Sequence, residues 1–517
     1  MQAFPHDFVL GGGAPRGRED VSAALAPRYS AEPGTRPRTV RRTWLDTFDW
    51  RLYRAGLTLE HVTSRGPGEL TLTGAGGGHI TERAGGLRWP ALADALPAGP
   101  LRERLAELTG VRALLPVARG TSTVCSLRAR NADAKTVAWL TVDQTSITSP
   151  AVADLPARLS VTPVRGYQAQ ADRIARRLAA LPGVSPAGLA QLETALAAAG
   201  RRPGDYTGKI DVELDAAMPA RLAVAAVLLR LLDSLEANAD GTVRDIDTEF
   251  LHDLRVSVRR TRTALKLAGA VLPAGLAGEF RGEFKWLGDA TTPTRDLDVY
   301  LLSYGGMAAS LSAATPAELA PFHDYLARRR AVEQGRLVRA LRSARFAGLV
   351  SKWRVSITDL APPRRGPTAA GLAAGVLGKA HRRVLTLGGA ITDDSPAESL
   401  HDLRKRCKEL RYALEFFASL SDPASHREAV RDLKGLQDCL GTFQDCQVQQ
   451  HEIRMIAAEM LGAGGAEATA LLAMGDLAAQ VARRERKARA EFAGRFADFA
   501  SAASRRRFRA LVAGAES

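Results

Sequence analysis

The feature that most limits how this chain can fold is that its second half is written twice. HDLRVSVRRTRTALKL begins at His252 and HDLRKRCKELRYALEF at His401, an offset of 149 residues (401 − 252). The same offset places Arg230 on Lys379, Lys285 on Lys434, Leu287 on Leu436, Asp289 on Asp438, Asp296 on Asp445 and Val299 on Val448. With one more residue of slippage RFAGL at Arg345 meets RFADF at Arg495, so the likeness runs through nearly the whole of each copy. Within each copy, Ala-, Leu- and Arg-rich stretches carry apolar residues at three- and four-residue spacing, the pattern of amphipathic helices. Four helices per copy are expected: 219–240, 248–272, 276–303 and 316–352, then 368–391, 397–420, 424–461 and 465–502. The prediction is an all-α pair of four-helix bundles, about 216–355 and 366–505, related by a pseudo-twofold axis.

The first 200 residues read differently. Runs rich in β-branched and aromatic residues, such as TVRRTWLDTF, GELTLTG, TVAWLTVDQTSI and ARLSVTPV, are punctuated by Gly and Pro and predict strands. Helical pattern is a minority there, clearest at 168–181 and 186–199. The polar, Gly/Pro-rich GRRPGDYTG at 200–208 opens a linker over 201–215. The fold class is therefore α+β and multidomain: a β-rich domain over 1–200 and a helical domain over 216–505. At 517 residues the chain is too long for one ordinary core.

On a helix at about 100° per residue, His252, Arg255, Arg259, Arg262 and Lys266 fall within roughly 80° of one another. His401, Arg404, Lys408 and Arg411 repeat the stripe, while Leu254, Val258, Leu265, Leu403, Cys407 and Leu414 form another face that can serve the core. Like charges at three- and four-residue spacing repel by a few tenths of a kcal/mol per pair, and a purely structural helix would intersperse glutamates. Charge runs on helices are commonly just solvated, and Asp289, Asp296, Asp438 and Asp445 could pair with these cations. Basic character is nevertheless kept at Arg255/Arg404, Arg259/Lys408, Arg262/Arg411 and Lys285/Lys434 although the copies otherwise differ heavily, which favours an anion lying along the stripe. His252 and His401 have no HxxH or HxxxH partner on their helices, so an N–H donated to an oxyanion, or a bond to a neighbouring carboxylate, suits them better than a metal. With 71 basic and 56 acidic side chains the net charge is +15, which also favours a polyanionic partner.

HDLRVSVRRTRTALKL and HDLRKRCKELRYALEFF, followed by FKWLGDATTPTRDLDVYL and LKGLQDCLGTFQDCQV, resemble the CHAD domain, the conserved histidine α-helical domain, over about 210–505. That resemblance implies a helical bundle that binds inorganic polyphosphate without catalysis. The implied binding surface is His252, Arg255, Arg259, Arg262, Lys266 and Lys285 with His401, Arg404, Lys408, Arg411 and Lys434, and the implied location is the cytoplasm, at polyphosphate granules. Polyphosphate needs regularly spaced cations, and Arg forks grip phosphate oxygens bidentately. Duplex DNA would be the competing polymer, but no named DNA-reading motif occurs and aromatic residues total only 6%, so stacking platforms are scarce.

TWLDTFDWRLYRAGLTL at 43–59 resembles the CYTH or triphosphate-tunnel fold, an antiparallel barrel whose active members hold Mg²⁺ on an E-x-E-x-K strand and further carboxylates. Here the opening strand reads HDFVLGGGA, the basic run after the glycine is replaced by Leu59-Glu60-His61-Val62, LTLTG stands where LTLKG is usual, and the late acidic strand reads ARLSVTPV. A degenerate barrel without converging carboxylates, and so without metal, cofactor or catalytic residue, is expected. A metal-dependent triphosphatase in this domain and a nucleic-acid scaffold are the alternatives. The acids Asp211, Glu213 and Asp215 in KIDVELD lie at the linker, where capping or solvation suits them better than metal binding. The glycine runs at Gly11 and Gly76 are too nonspecific to be phosphate cradles. Four cysteines without a CxxC pair fit a reducing compartment, no signal peptide is expected, and the most apolar helical run, 222–232, is broken by Arg230.

Overall fold

The structure, a computed structural model, describes residues 6–11, 18–64, 66–74, 78–187, 190–362, 365–463 and 467–514. Gly12, Gly13, Gly76 and Gly77 of the two glycine runs lie outside these residues. The chain divides into two units, Met1–Gly208 and Lys209–Ser517.

In the first unit the chain is extended where the sequence alternates, and helices fill the gaps. In chain order the elements are β1 (Asp7–Leu10), α1 (Arg18–Leu25), β2 (Ser30–Asp46), α2 (Arg51–Arg54), β3 (Leu57–Thr63), β4 (Gly68–Gly74), β5 (His79–Ala84), α3 (Pro100–Thr109), β6 (Leu115–Arg130), β7 (Thr136–Ser149), β8 (Ala153–Asp154), β9 (Ala157–Pro163), α4 (Gln168–Ala179), β10 (Val184–Pro186) and α5 (Ala190–Ala197). The start of the predicted helix 186–199 is thus drawn into a strand. All pairings are antiparallel, in the order β10-β1-β9-β7-β6-β2-β3-β4-β5, with β8 on β7. β9 and β3 stand four places apart, about 19 Å in a flat sheet. Yet Arg158 of β9 reaches Glu60 of β3 at 3.5 Å, so the sheet curls into a trough. Hydrogen bonding does not close it among the described residues: β5 and β10 are its edges, and the expected barrel is open. One side of the sheet is sealed by α1 and α4 through Val21, Leu25, Ile174 and Leu178, while α5 lies inside the trough with Leu192 and Leu196 against Trp44 and Ile147.

The second unit is helical: α6 (Ala220–Val243), α7 (Thr248–Leu267), α8 (Leu276–Ala309), α9 (Pro316–Leu341), α10 (Ala344–Thr358), then α11 (Ala369–Gly389), α12 (Ala397–Phe416), α13 (Pro423–Gly462), α14 (Ala468–Phe499) and α15 (Ala502–Gly514). Among the described residues each copy has five helices, because the expected fourth is broken at a serine. Ser343 Oγ accepts the Phe346 N–H at 3.2 Å and starts α10; Ser501 Oγ accepts the Ser504 N–H at 3.2 Å and starts α15. RFAGL therefore follows the break and RFADF precedes it, so the counterpart of α10 is α15 rather than the end of α14. The copies also share one core. Leu228, Leu254, Phe284 and Trp353 belong to the same buried cluster as Leu377, Leu403, Leu436 and Phe508, and Leu297, Phe322 and Leu326 pack with Ile453, Ile456 and Leu477. Equivalent helices meet as a pseudo-twofold requires, α6 with α11, α7 with α12 and α9 with α14. Among the described residues no helix is long and apolar enough to cross a membrane.

Trp353 of α10 is fully buried against Phe280 and Phe284, with ring centroids 4.6 and 5.4 Å away. Trp353→Ala is expected to cost about 3–5 kcal/mol in urea unfolding, the range for emptying a buried aromatic site.

Candidate functional site

The N-cap Asp247 starts α7 by accepting the Glu249 and Phe250 N–H groups at 2.9 and 3.3 Å, which fixes the phase of the helix ahead of His252. With the apolar face inward, the basic stripe is left at the border with α12. There the two copies are tied reciprocally. Arg260 bonds Glu415 at 2.9 and 2.6 Å, and Lys266 bonds Glu409. Glu409 is the repeat counterpart of Arg260, and Glu415 that of Lys266, so each tie is the symmetry image of the other with the charges exchanged between copies.

These ties remove members of the predicted stripe. Lys266 is held by Glu409, and Arg411 gives its Nε to Glu415 at 2.7 Å. Glu409 and Glu415 of α12 supply the carboxylates that this end of the α7 stripe lacks, so the stripe is compensated here. Lys285 pairs with Asp289 at 2.7 Å in solvent, and Lys434 is exposed. His252 is half-buried. His401 faces the Gln444 amide oxygen at 2.6 Å through Nδ1, an amide rather than the carboxylate anticipated. Arg262 is exposed and reaches over α8, where a Cβ on Gly288 would stand 3.2 Å from its Nη1.

Arg255, Arg259, Arg404 and Lys408 come together in one electrostatic neighbourhood. Burial pushes Lys408 down to about 8, helped by Arg404, Arg259 and Arg255 and opposed by Asp445. Arg255 falls to about 10, first through burial and then through Arg259 and Arg295, with Asp296 opposing. Its Nη1 donates to Thr292 Oγ1, Thr291 Oγ1 and the Gly288 carbonyl at 2.7, 3.1 and 3.3 Å, while its Nε is buried without a bond among the described residues. Arg404 meets Asp445 at 3.2 Å. Arg259 has only a 3.4 Å contact to the Tyr412 hydroxyl, and among the described residues no carboxylate lies within ion-pair distance of Arg259, Arg262 or Lys408. Arg295 of α8 is a further cation here, bonded to the Thr248 carbonyl at 3.2 Å. The repeat hid it, because its counterpart is Gln444.

In the first unit the trough holds charges of both signs. Arg42 bonds Glu60 and Asp143, and its Nε reaches Ser122 at 3.3 Å. Arg158 meets Asp7 at 3.2 Å as well as Glu60. Three carboxylates do converge, contrary to the expectation from the missing motif, but two guanidiniums stand between them. Burial alone would raise the Glu60 carboxyl; Arg42 and Arg158 outweigh it and hold it below the usual range. Among the described residues no three His, Cys, Asp or Glu side chains are placed to hold a metal ion. At the linker, Asp211 pairs with Arg230 at 2.8 Å and Asp215 accepts the Ala217 N–H at 2.7 Å.

Residues 226–454, a span that contains both histidine helices, match the family model of the CHAD domain. The chain carries a CHAD domain. Similar solved structures are the crystal structure of the CHAD domain from the plant Ricinus communis, 28% identical over 56% of this chain and 96% of that one with a TM-score of 0.48, and PptA from Streptomyces chartreusis, 17% identical over 54% and 99% with a TM-score of 0.44. No curated protein matches the chain.

Two consequences can be measured. In the folded CHAD domain Lys408 releases its proton near pH 8, but in the unfolded chain only near 10.5. Between these values the unfolded chain binds more protons, so stability rises with pH across that window. Lys408→Met should be more stable than wild type at pH 7 in urea titrations, and the gap should narrow as pH approaches 10. In the trough, Arg42→Met leaves Asp143 buried without its cation and should cost about 3–5 kcal/mol in the same assay.

Proposed function

We propose that this protein binds inorganic polyphosphate along the α7/α12 seam and does not turn it over. The observation that carries this reading is the grouping of Arg255, Arg259, Arg404 and Lys408 from both copies, which adds to burial in depressing the Lys408 proton affinity, while Arg259 and Lys408 have no carboxylate within ion-pair distance among the described residues. Such a cluster costs stability in the free protein, and a chain of phosphates relieves it. A flexible polymer with about one charge per phosphate needs spaced cations and no base-reading groups, which favours it over nucleic acid. His252, Arg262, Arg295, Lys285, His401 and Lys434 flank the centre, while Lys266 and Arg411 serve the tie between the copies.

The front unit is proposed to be a CYTH-like fold without turnover. A triphosphate entering the trough would have to displace Glu60, Asp143 and Asp7 from Arg42 and Arg158, and the carboxylates so released would repel it. Mg²⁺-stimulated release of phosphate from triphosphate by the purified chain would support the hydrolase alternative instead. A cytoplasmic location belongs to the same proposal.

Titration with polyphosphate of defined length at several salt concentrations should give an affinity that falls linearly on a log–log plot. Arg259→Glu combined with Lys408→Glu should weaken binding roughly 100-fold or more, since each charged hydrogen bond contributes about 1.5–3 kcal/mol, while circular dichroism stays unchanged. Unchanged affinity in that variant would remove the seam as the site.

A further inference from the structure

The two copies differ at a position that lies beside a cleft in the second. In the first copy Trp286 of α8 is half-buried against the core, and the guanidinium of Arg345 lies over its ring, 4.3 Å from the centroid. The same Arg345 bonds Glu283 at 2.8 and 3.0 Å. At the repeat offset, Glu283 becomes Asp432 and Trp286 becomes Gly435. Asp432 keeps an arginine, Arg507, at 2.9 and 2.6 Å, but Gly435 supplies no ring. Beside it lies a cleft of about 390 Å³ between α13 and α14, within the size range of small-ligand sites. Arg484, Lys487, Ala488 and Arg495 of α14 line it together with Gly435 and Cys439 of α13.

The lining specifies a ligand. Lys487 is shared with Glu491 at 4.0 Å, but among the described residues Arg484 and Arg495 have no carboxylate within ion-pair distance. Guanidiniums without partners select phosphate, and their planar faces stack on rings, as Arg345 does on Trp286. Asp438 and Glu491 also line the cleft. As acceptors they suit a ligand with hydroxyl or amino donors and repel a bare polyanion.

We propose that this cleft binds a mononucleoside phosphate, with the base against α13 at Gly435, where no side chain intervenes and Arg495 lines the same cleft, and the phosphates on Arg484 and Lys487. Ribose hydroxyls and an exocyclic amino group then meet Asp438 and Glu491. The cleft shares no residue with the polyphosphate seam, so the proposal does not depend on that reading.

Calorimetric titration of the full chain at fixed salt, with ATP and with inorganic triphosphate, tests it. ATP is expected to bind, and to bind equally well to the Arg259→Glu/Lys408→Glu chain. Gly435→Trp fills that space; because a Cβ at Gly435 meets no atom within 4 Å, the substitution starts unstrained. It should lower ATP affinity about tenfold or more and leave polyphosphate binding unchanged, and Arg495→Ala should lower ATP affinity in the same direction. Absence of ATP binding to the wild type, ATP binding that survives both Gly435→Trp and Arg495→Ala, or triphosphate binding as tight as ATP with the same response to Gly435→Trp would each overturn the proposal.

Discussion

The packing of α7 on α12 governs the second unit. Each copy presents one amphipathic helix whose apolar side is covered by its neighbours in the same copy, α6 and α8 for α7 and α11 and α13 for α12, and this leaves the polar flanks of α7 and α12 to meet each other. At one end of this contact Arg260–Glu415 and Lys266–Glu409 bring opposite charges together; further along, Arg255, Arg259, Arg404 and Lys408 bring like charges together. Arg260 and Glu415 are mostly buried, where an ion pair is screened less than in solvent. The attraction at one end holds in place the repulsion at the other. A cationic cluster of this kind persists only where a larger force fixes the backbone beneath it, and here that force is the apolar core to which both copies contribute.

The first unit resolves a similar problem in the opposite way. Its trough also gathers charged groups, but Arg42 and Arg158 alternate with Asp7, Glu60 and Asp143, and α5 fills the remaining space with Leu192 and Leu196. Buried ions are tolerated there because each meets one of opposite sign and, for Arg42 and Asp143, hydroxyls of Ser122 and Thr145 as well. One unit is electrostatically saturated from within; the other is not.

Much of this architecture is legible in the residues themselves. The 149-residue offset, the helical spacing around His252 and His401 and the strand pattern before residue 200 depend on local periodicity, which survives without knowledge of neighbours. What escapes is whatever depends on which surfaces meet. Lys266 looks free on its own helix, because Glu409 arrives from another one 143 positions away. Asp143 and Arg158 sit in ordinary-looking strands, and only the curl of the sheet brings β9 over β3. Arg295 is invisible to the repeat because glutamine stands at its counterpart. The division of the fourth helix in each copy rests on one serine that a periodic pattern passes over.

The exchange of sign across the seam also bears on how such a chain can be taken apart. A protein made of the first copy alone would bring Arg260 and Lys266 against their own duplicates, cation on cation, and one made of the second alone would oppose Glu409 and Glu415 to themselves. Neither fragment can rebuild the fused geometry as a homodimer without repulsion at its centre. The exchange of sign therefore favours a tandem of unlike copies over a homodimer of either one.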